Sequence, residues 1–157
     1  MLRKGIVAGG LVWTAPVVIS TIEARPALAS GLPGPQQGSA TVVCDGLGGY
    51  RVALNGWAGA PCGIVNCITI HEQSHITDWM ARFPLGCKNA NGTNKPDGTA
   101  PPTGGPGYAA FLRASECSAY TAELTCIEGN NRTDGDCPRL VALHLADTAR
   151  QKARYCR

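Results

Sequence analysis

Eight cysteines in a chain of 157 residues restrict both the fold and the cellular compartment. An even number of cysteines in a short chain predicts a framework of disulfide bonds, which persist in oxidising compartments. The spacings contain no C-x-x-C knuckle, so thiolates are poor candidates for a zinc site. The sequence therefore predicts a small domain stapled by disulfides, and it leaves their pairing open.

The first 29 residues predict export. Arg3-Lys4 begins a basic region, residues 5–22 are mostly apolar, and Ala27-Leu28-Ala29 precedes Ser30 as an A-x-A cleavage pattern. The segment resembles a twin-arginine leader, although Arg3-Lys4 stands where two arginines are expected, which leaves the export route open. We expect a signal peptide over residues 1–29 and a single domain over residues 30–157. The apolar run is short for a membrane span, so an uncleaved anchor is the minor alternative.

The charge balance argues against a polyanionic partner. Loss of residues 1–29 lowers the formal net charge from +3 to near +1. The basic residues near the end of the chain fit the solvated face and last turn of a helix. We therefore expect no nucleic-acid partner. We also expect a secreted, periplasmic or cell-envelope monomer that does not insert stably into a membrane once the leader is removed.

The pentad His71-Glu72-Gln73-Ser74-His75 carries the most specific chemistry in the sequence. Histidines four residues apart lie on one face of a helix, and neutral imidazoles are good zinc ligands. A glutamate between them can take a proton from water that the metal activates. The alternative is a pair of partly buried histidines that bind backbone or carboxylate groups and no metal. We expect Zn²⁺ on His71 and His75, with Glu72 as the general base.

A catalytic zinc needs a third protein ligand, and the candidates lie in the segment around residues 113–124. Here the chain resembles the gluzincin branch of the zincins, in which an E-x-x-A pattern on a second helix supplies a glutamate ligand. Glu116 and Ala119 match that pattern, so we expect Glu116 to be the third ligand. Glu123 shares the helical face and either orients a ligand histidine or is itself the third ligand. We expect His144 to be a helix histidine that is either hydrogen-bonded to neighbouring groups or exposed at the surface.

Two further residues have the spacing of site residues. Asp78 follows His75 by three positions and His71 by seven, so it could orient a histidine ligand, or it could be an ordinary exposed acid. Tyr120 follows Glu116 by one helical turn, and its hydroxyl could stabilise an oxyanion, or its ring could serve only in packing.

The periodicity predicts an α+β fold that is mainly helical. Residues 40–57 predict a short β-hairpin, and residues 63–82, 108–128 and 138–155 predict the active-site helix, a second ligand-bearing helix and a C-terminal helix. Residues 86–107 are dense in Gly, Pro and Asn and predict a long loop, which is either a flap over the cleft or a tolerated insertion.

The combined pattern resembles a group of small cysteine-rich HExxH domains found in bacterial secreted and toxin-like proteins. The shared features are two cysteines before the pentad, Asp78-Trp79 after it, the Glu116 to Tyr120 segment and the late cysteines. The resemblance implies a zincin-like zinc metallopeptidase that acts on a peptide or protein substrate.

Two other functions stay open on the sequence alone. One is a disulfide-rich interaction module with a structural or vestigial zinc site, which a fourth ligand such as His144 or Glu123 would close. The other is a toxin-like effector with a different hydrolase target, and cell-wall peptide crosslinks also remain possible substrates.

Overall fold

A computed structural model of the protein describes residues 39–55 and 62–157. The expected signal peptide and its cleavage position lie outside the described residues. None of the helices in the described part of the chain has both the length and the apolarity that a bilayer span requires.

The described chain begins with a two-stranded antiparallel sheet. Strand β1 is Ser39–Cys44 and strand β2 is Tyr50–Asn55, and Val42 pairs with Val52 at the centre. The carboxylate of Asp45 accepts hydrogen bonds from the backbone N–H groups of Leu47 and Gly49, which closes the turn. The predicted hairpin is confirmed, although residues 56 and 57 of the predicted range are not among the described ones.

Helix α1, Ile64–Arg82, carries the pentad. It begins after Gly63, whose φ of 71° is a left-handed conformation that suits glycine, and it ends just before Phe83-Pro84. Its buried residues recur at helical spacing: Cys67, Ile68, His71, Glu72, His75 and Trp79. The histidines therefore extend the buried stripe of the helix, as the sequence predicts.

Helix α2 is Tyr108–Glu128 and helix α3 is Cys137–Tyr155. The α2 bounds match the prediction, and α3 begins one residue earlier than predicted. Cys67, near the start of α1, is bonded to Cys126 near the end of α2, whereas His75, later in α1, contacts Ser115 in the first half of α2. Helices α1 and α2 are therefore antiparallel. Helices α2 and α3 are antiparallel as well, because Cys117 is bonded to Cys156 whereas Glu123 contacts Thr148.

Four disulfides join these elements. They link Cys44 to Cys87, Cys62 to Cys137, Cys67 to Cys126, and Cys117 to Cys156. The Cys67–Cys126 bond joins α1 to α2, the Cys62–Cys137 bond joins the residues just before α1 to α3, and the Cys117–Cys156 bond joins α2 to the end of α3. The Cys44–Cys87 bond joins the hairpin to the loop after α1. The predicted disulfide stapling is confirmed, and it indicates an oxidising compartment.

The apolar core is small. Ala40 of β1 and Ile68 of α1 are buried together, and Ile64 and Val65 pack against them. Much of the remaining interior between the helices is polar, and this polar part contains the pentad histidines and three glutamates. The fold is α+β and mainly helical, as predicted.

The long loop after α1 packs along that helix. The indole N–H of Trp79 donates to the carbonyl of Pro102, and the guanidinium of Arg82 donates to that of Pro106. On the hairpin side, the Tyr50 hydroxyl donates to the carbonyl of Phe83. These contacts hold the end of the loop against the last turn of α1 and its beginning against the hairpin.

We predict that Gly86→Ala destabilises the protein by about 1–3 kcal/mol, the usual cost of overpacking. A Cβ at this position would overlap the Tyr50 hydroxyl, and it would come within 2.7 Å of the Pro102 ring, which is rigid and cannot turn aside. Chemical denaturation of the oxidised protein measures the change.

Gly129→Ala is the matched control. Its Cβ would meet only the carbonyl oxygens of Cys126 and Thr125, at 3.6 Å, so the stability should change by less than about 1 kcal/mol. Equal stabilities of the two variants would contradict the packing argument.

Candidate metal centre

Three potential ligand atoms converge in the interface between α1 and α2. Nε2 of His71 lies 3.2 Å from Nε2 of His75. Oε2 of Glu116 lies 3.9 Å from the first of these nitrogens and 3.7 Å from the second. The three residues are only 1–4 % exposed. The helical spacing of the pentad and the antiparallel packing of α2 together create this triangle.

The dimensions of the triangle suit a zinc ion. The point in the plane of the three atoms that is equidistant from them lies about 2.1 Å from each, and zinc bonds to imidazole nitrogen and carboxylate oxygen at about 2.0–2.2 Å. These three residues form a group that can hold a metal ion. Two histidines and a carboxylate are also a donor set that zinc accepts.

The other nitrogen of each ring is held by α2. Nδ1 of His71 lies 2.8 Å from Oε2 of Glu123, and Nδ1 of His75 lies 2.8 Å from the Ser115 hydroxyl. An ionised carboxylate only accepts hydrogen bonds, so His71 carries its proton on Nδ1 and, when neutral, presents a lone pair at Nε2. A ligand histidine is commonly oriented in this way.

Glu123 connects this interface to α3. Nε2 of His144 lies 2.8 Å from Oε1 of Glu123, and the Thr148 hydroxyl lies 3.4 Å from the same oxygen. The distance between Nε2 of His144 and Oε1 of Glu123 is that of a hydrogen bond, although the ring N–H bond is not well aligned with that oxygen. Glu123 is fully buried on α2 and contacts residues of both α1 and α3.

These contacts bear on the two roles predicted for Glu123. One of its oxygens lies against Nδ1 of His71 and the other against Nε2 of His144, and Glu123 is not among the three converging residues of the described chain. His144 contacts Glu123 and, like it, is not one of the three converging residues. Among the described residues, the group that can hold a metal contains His71, His75 and Glu116.

Burial and neighbouring charges shift the pKa values around the triangle. Burial, reinforced by His71, lowers the pKa of His75 to about 3. Burial alone would raise the pKa of Glu123, but the contacts with His144 and His71 outweigh it and lower that pKa to about 2. Burial lowers the pKa of His71, but the Glu123 contact prevails and the net shift is upward. His75 is therefore neutral and Glu123 ionised over the ordinary pH range.

Glu72 is buried beside the triangle. Burial raises its pKa to about 7, which the charge of His71 opposes and the charge of Glu116 reinforces. Glu72, Glu116 and Glu123 thus put three carboxyl groups into one small interior. Like charges in a poorly solvated region repel one another, and a bound cation would compensate for them.

Tyr120 and Asp78, the two other residues predicted for the site, differ from each other in their relation to the triangle. The Tyr120 ring packs edge-on against the His71 ring, with centroids 4.5 Å apart, so Tyr120 borders the site. Burial, followed by the charge of Glu116, raises the pKa of its phenol. Asp78 is only partly buried, and Glu123 and Ser115 lie against the Nδ1 atoms of the two ligand histidines, one of which Asp78 could have oriented.

Two residues of this centre were not assigned to it from the sequence. Ser115 contacts His75, and His144 contacts Glu123. Ser115 directly precedes the predicted ligand Glu116, but nothing in that spacing specifies which ring it meets. His144 has no motif around it, and its place depends on how α3 packs against α2.

Comparison of the chain with protein-family models, with curated proteins and with solved structures gave no match. The geometry of this centre is therefore the guide to the function of the chain.

We predict that Glu123→Leu lowers the free energy of unfolding of the metal-free protein by about 3–5 kcal/mol, because removal of one partner leaves buried ion-pairing groups uncompensated. Glu123→Gln should lose about 1–3 kcal/mol, since an amide replaces only part of the contacts. Denaturant titration of the oxidised protein measures both.

Glu128→Gln is the control, because Glu128 is exposed at the end of the same helix. Its effect should stay within about 0.5 kcal/mol. A Glu123→Leu protein as stable as this control would show that the carboxylate is not needed between the helices.

Proposed function

We propose that this chain is a zinc-dependent peptidase of an oxidising, extracytoplasmic compartment. The observation that carries the proposal is the triangle of His71 Nε2, His75 Nε2 and Glu116 Oε2, with separations of 3.2–3.9 Å. These three residues would hold the zinc ion. Export through the N-terminal leader, and a zincin-like fold for the domain, belong to the same proposal.

Zinc bound there would polarise a substrate carbonyl and lower the pKa of a water molecule. Glu72 is the proposed general base, since it lies between the two histidines in sequence and is buried beside them. It takes a proton from the attacking water as the C–O bond forms. It then passes that proton to the amine nitrogen as the C–N bond breaks, which releases the amine and the carboxylic acid products.

Tyr120 is the proposed oxyanion residue. Its ring borders His71, and its raised pKa keeps the phenol protonated, so that it can donate a hydrogen bond. Donors directed at a developing oxyanion are a large source of rate enhancement in acyl transfer. A peptide or protein is the proposed substrate.

A structural zinc site is the second candidate. The burial of all three donors favours it, because a catalytic site must admit a substrate. The number of donors favours the peptidase, because the group in the described residues has three members, and three protein ligands leave a position for water. Hydrolytic activity decides between the two candidates.

We predict about one zinc ion per folded, oxidised chain, and the loss of that zinc in both His71→Ala and Glu116→Gln proteins, because each change removes one of three donors. Elemental analysis after dialysis measures the stoichiometry. Glu72→Gln and the surface control Glu128→Gln should retain zinc. A wild-type protein without zinc would reject both candidates, and zinc retained by Glu116→Gln would reject the ligand set.

We also predict hydrolysis of unstructured peptides by the zinc-loaded protein. Glu72→Gln should lower kcat at least about 100-fold while zinc stays bound, and Tyr120→Phe should lower kcat about 10- to 100-fold, chiefly without a change in KM. Mass spectrometry of a mixed peptide library locates the cleaved bonds. Zinc binding without cleavage of any library peptide would favour the structural site.

A further inference from the structure

We infer that His144 is a positioning residue of the metal centre, which acts through Glu123 to hold His71 in the orientation that binds the metal. This inference rests on the proposed zinc site, and it adds to that site a residue from the third helix. The chain of contacts runs from α3 through α2 to α1.

The contacts follow one another without a gap. Nε2 of His144 lies 2.8 Å from Oε1 of Glu123, and the other oxygen of the same carboxylate, Oε2, lies 2.8 Å from Nδ1 of His71. The opposite nitrogen of His71 is one corner of the triangle. A carboxylate is planar and rigid, so a contact that fixes one oxygen also fixes the direction of the other.

The burial of the chain makes this coupling effective. The side chains of His71 and Glu123 are only 2 % and 1 % exposed, and that of His144 is 13 % exposed. Water therefore has little access to replace His144 beside the Glu123 carboxylate. Without the His144 ring, the carboxylate would keep only the longer Thr148 contact at 3.4 Å on that oxygen, and it could turn away from His71.

His75 gives an internal comparison. Its Nδ1 is held by the hydroxyl of Ser115, which comes from α2 alone. The orientation of His71, by contrast, depends on two helices in series. The C-terminal helix thus contributes to metal binding without supplying a ligand, and groups that orient ligands typically change metal affinity about 10- to 100-fold when they are removed.

The test compares His144→Leu, which removes the ring nitrogen, with His144→Gln, whose amide can restore a donor near the position of Nε2. Leu143→Gln is the matched control, because Leu143 is exposed on the same helix. Two measurements are made on the folded, oxidised protein: the zinc dissociation constant by competition with a chromophoric chelator, and the one-bond ¹H–¹⁵N spectrum of the histidine ring N–H groups.

We expect His144→Leu to bind zinc about tenfold more weakly than wild type and to lose the slowly exchanging Nδ1 proton signal of His71 in the metal-free spectrum. His144→Gln should recover both properties in large part, and Leu143→Gln should match wild type. Should His144→Leu fail to fold, His144→Phe keeps a ring at this position without its nitrogens, and it should show the same weaker zinc binding and the same loss of the His71 signal.

Three results would overturn the inference: an unchanged His71 signal and zinc constant in His144→Leu, a His144→Gln protein no better than His144→Leu, or the same loss in Leu143→Gln. A wild-type protein that binds no zinc would instead reject the proposed function. In that case the His71 signal still tests the coupling, because its Nδ1 contact does not depend on a metal.

Discussion

The carboxylate of Glu123 is the group on which the arrangement of the three helices depends. It is fully buried on α2, and it contacts His71 of α1 and both His144 and Thr148 of α3. A buried carboxylate that loses its partners costs several kcal/mol, so alternative helix packings that separate these residues are strongly disfavoured. The same contacts that select the packing also present Nε2 of His71 to His75 and Glu116.

The disulfides and the polar centre make different contributions to the fold. The apolar core around Ile68 is small, and a domain of this size with such a core benefits from crosslinks that restrict its unfolded chain. The Cys67–Cys126 bond joins α1 and α2 about one helical turn from the contact between His71 and Glu123. The crosslink holds the helices together, whereas directional contacts to the histidines specify the rotation of each helix about its axis.

The helices and the central residues were predictable from the sequence because they depend on local spacing. Four-residue spacing placed His71 and His75 on one face, and apolar periodicity with Phe83-Pro84 located the end of α1. The disulfide pairing, the Ser115 contact and the role of His144 were not predictable, because each depends on the packing of distant segments. The two interpretations of Asp78 stayed open for a related reason: same-face spacing on α1 does not reveal that α2 supplies partners for both rings.

The antiparallel pairing of α1 and α2 also determines where the chain can change in length. An extra residue within either helix would rotate every later side chain by about 100° and would separate the histidines from their partners. The loop tip at Asn91-Gly92 is exposed, and even a side chain at Gly92 would meet no atom within 4 Å. Insertions and deletions among homologous chains should therefore gather at this tip, while the number of residues from Cys67 to His75 and from Ser115 to Cys126 stays constant.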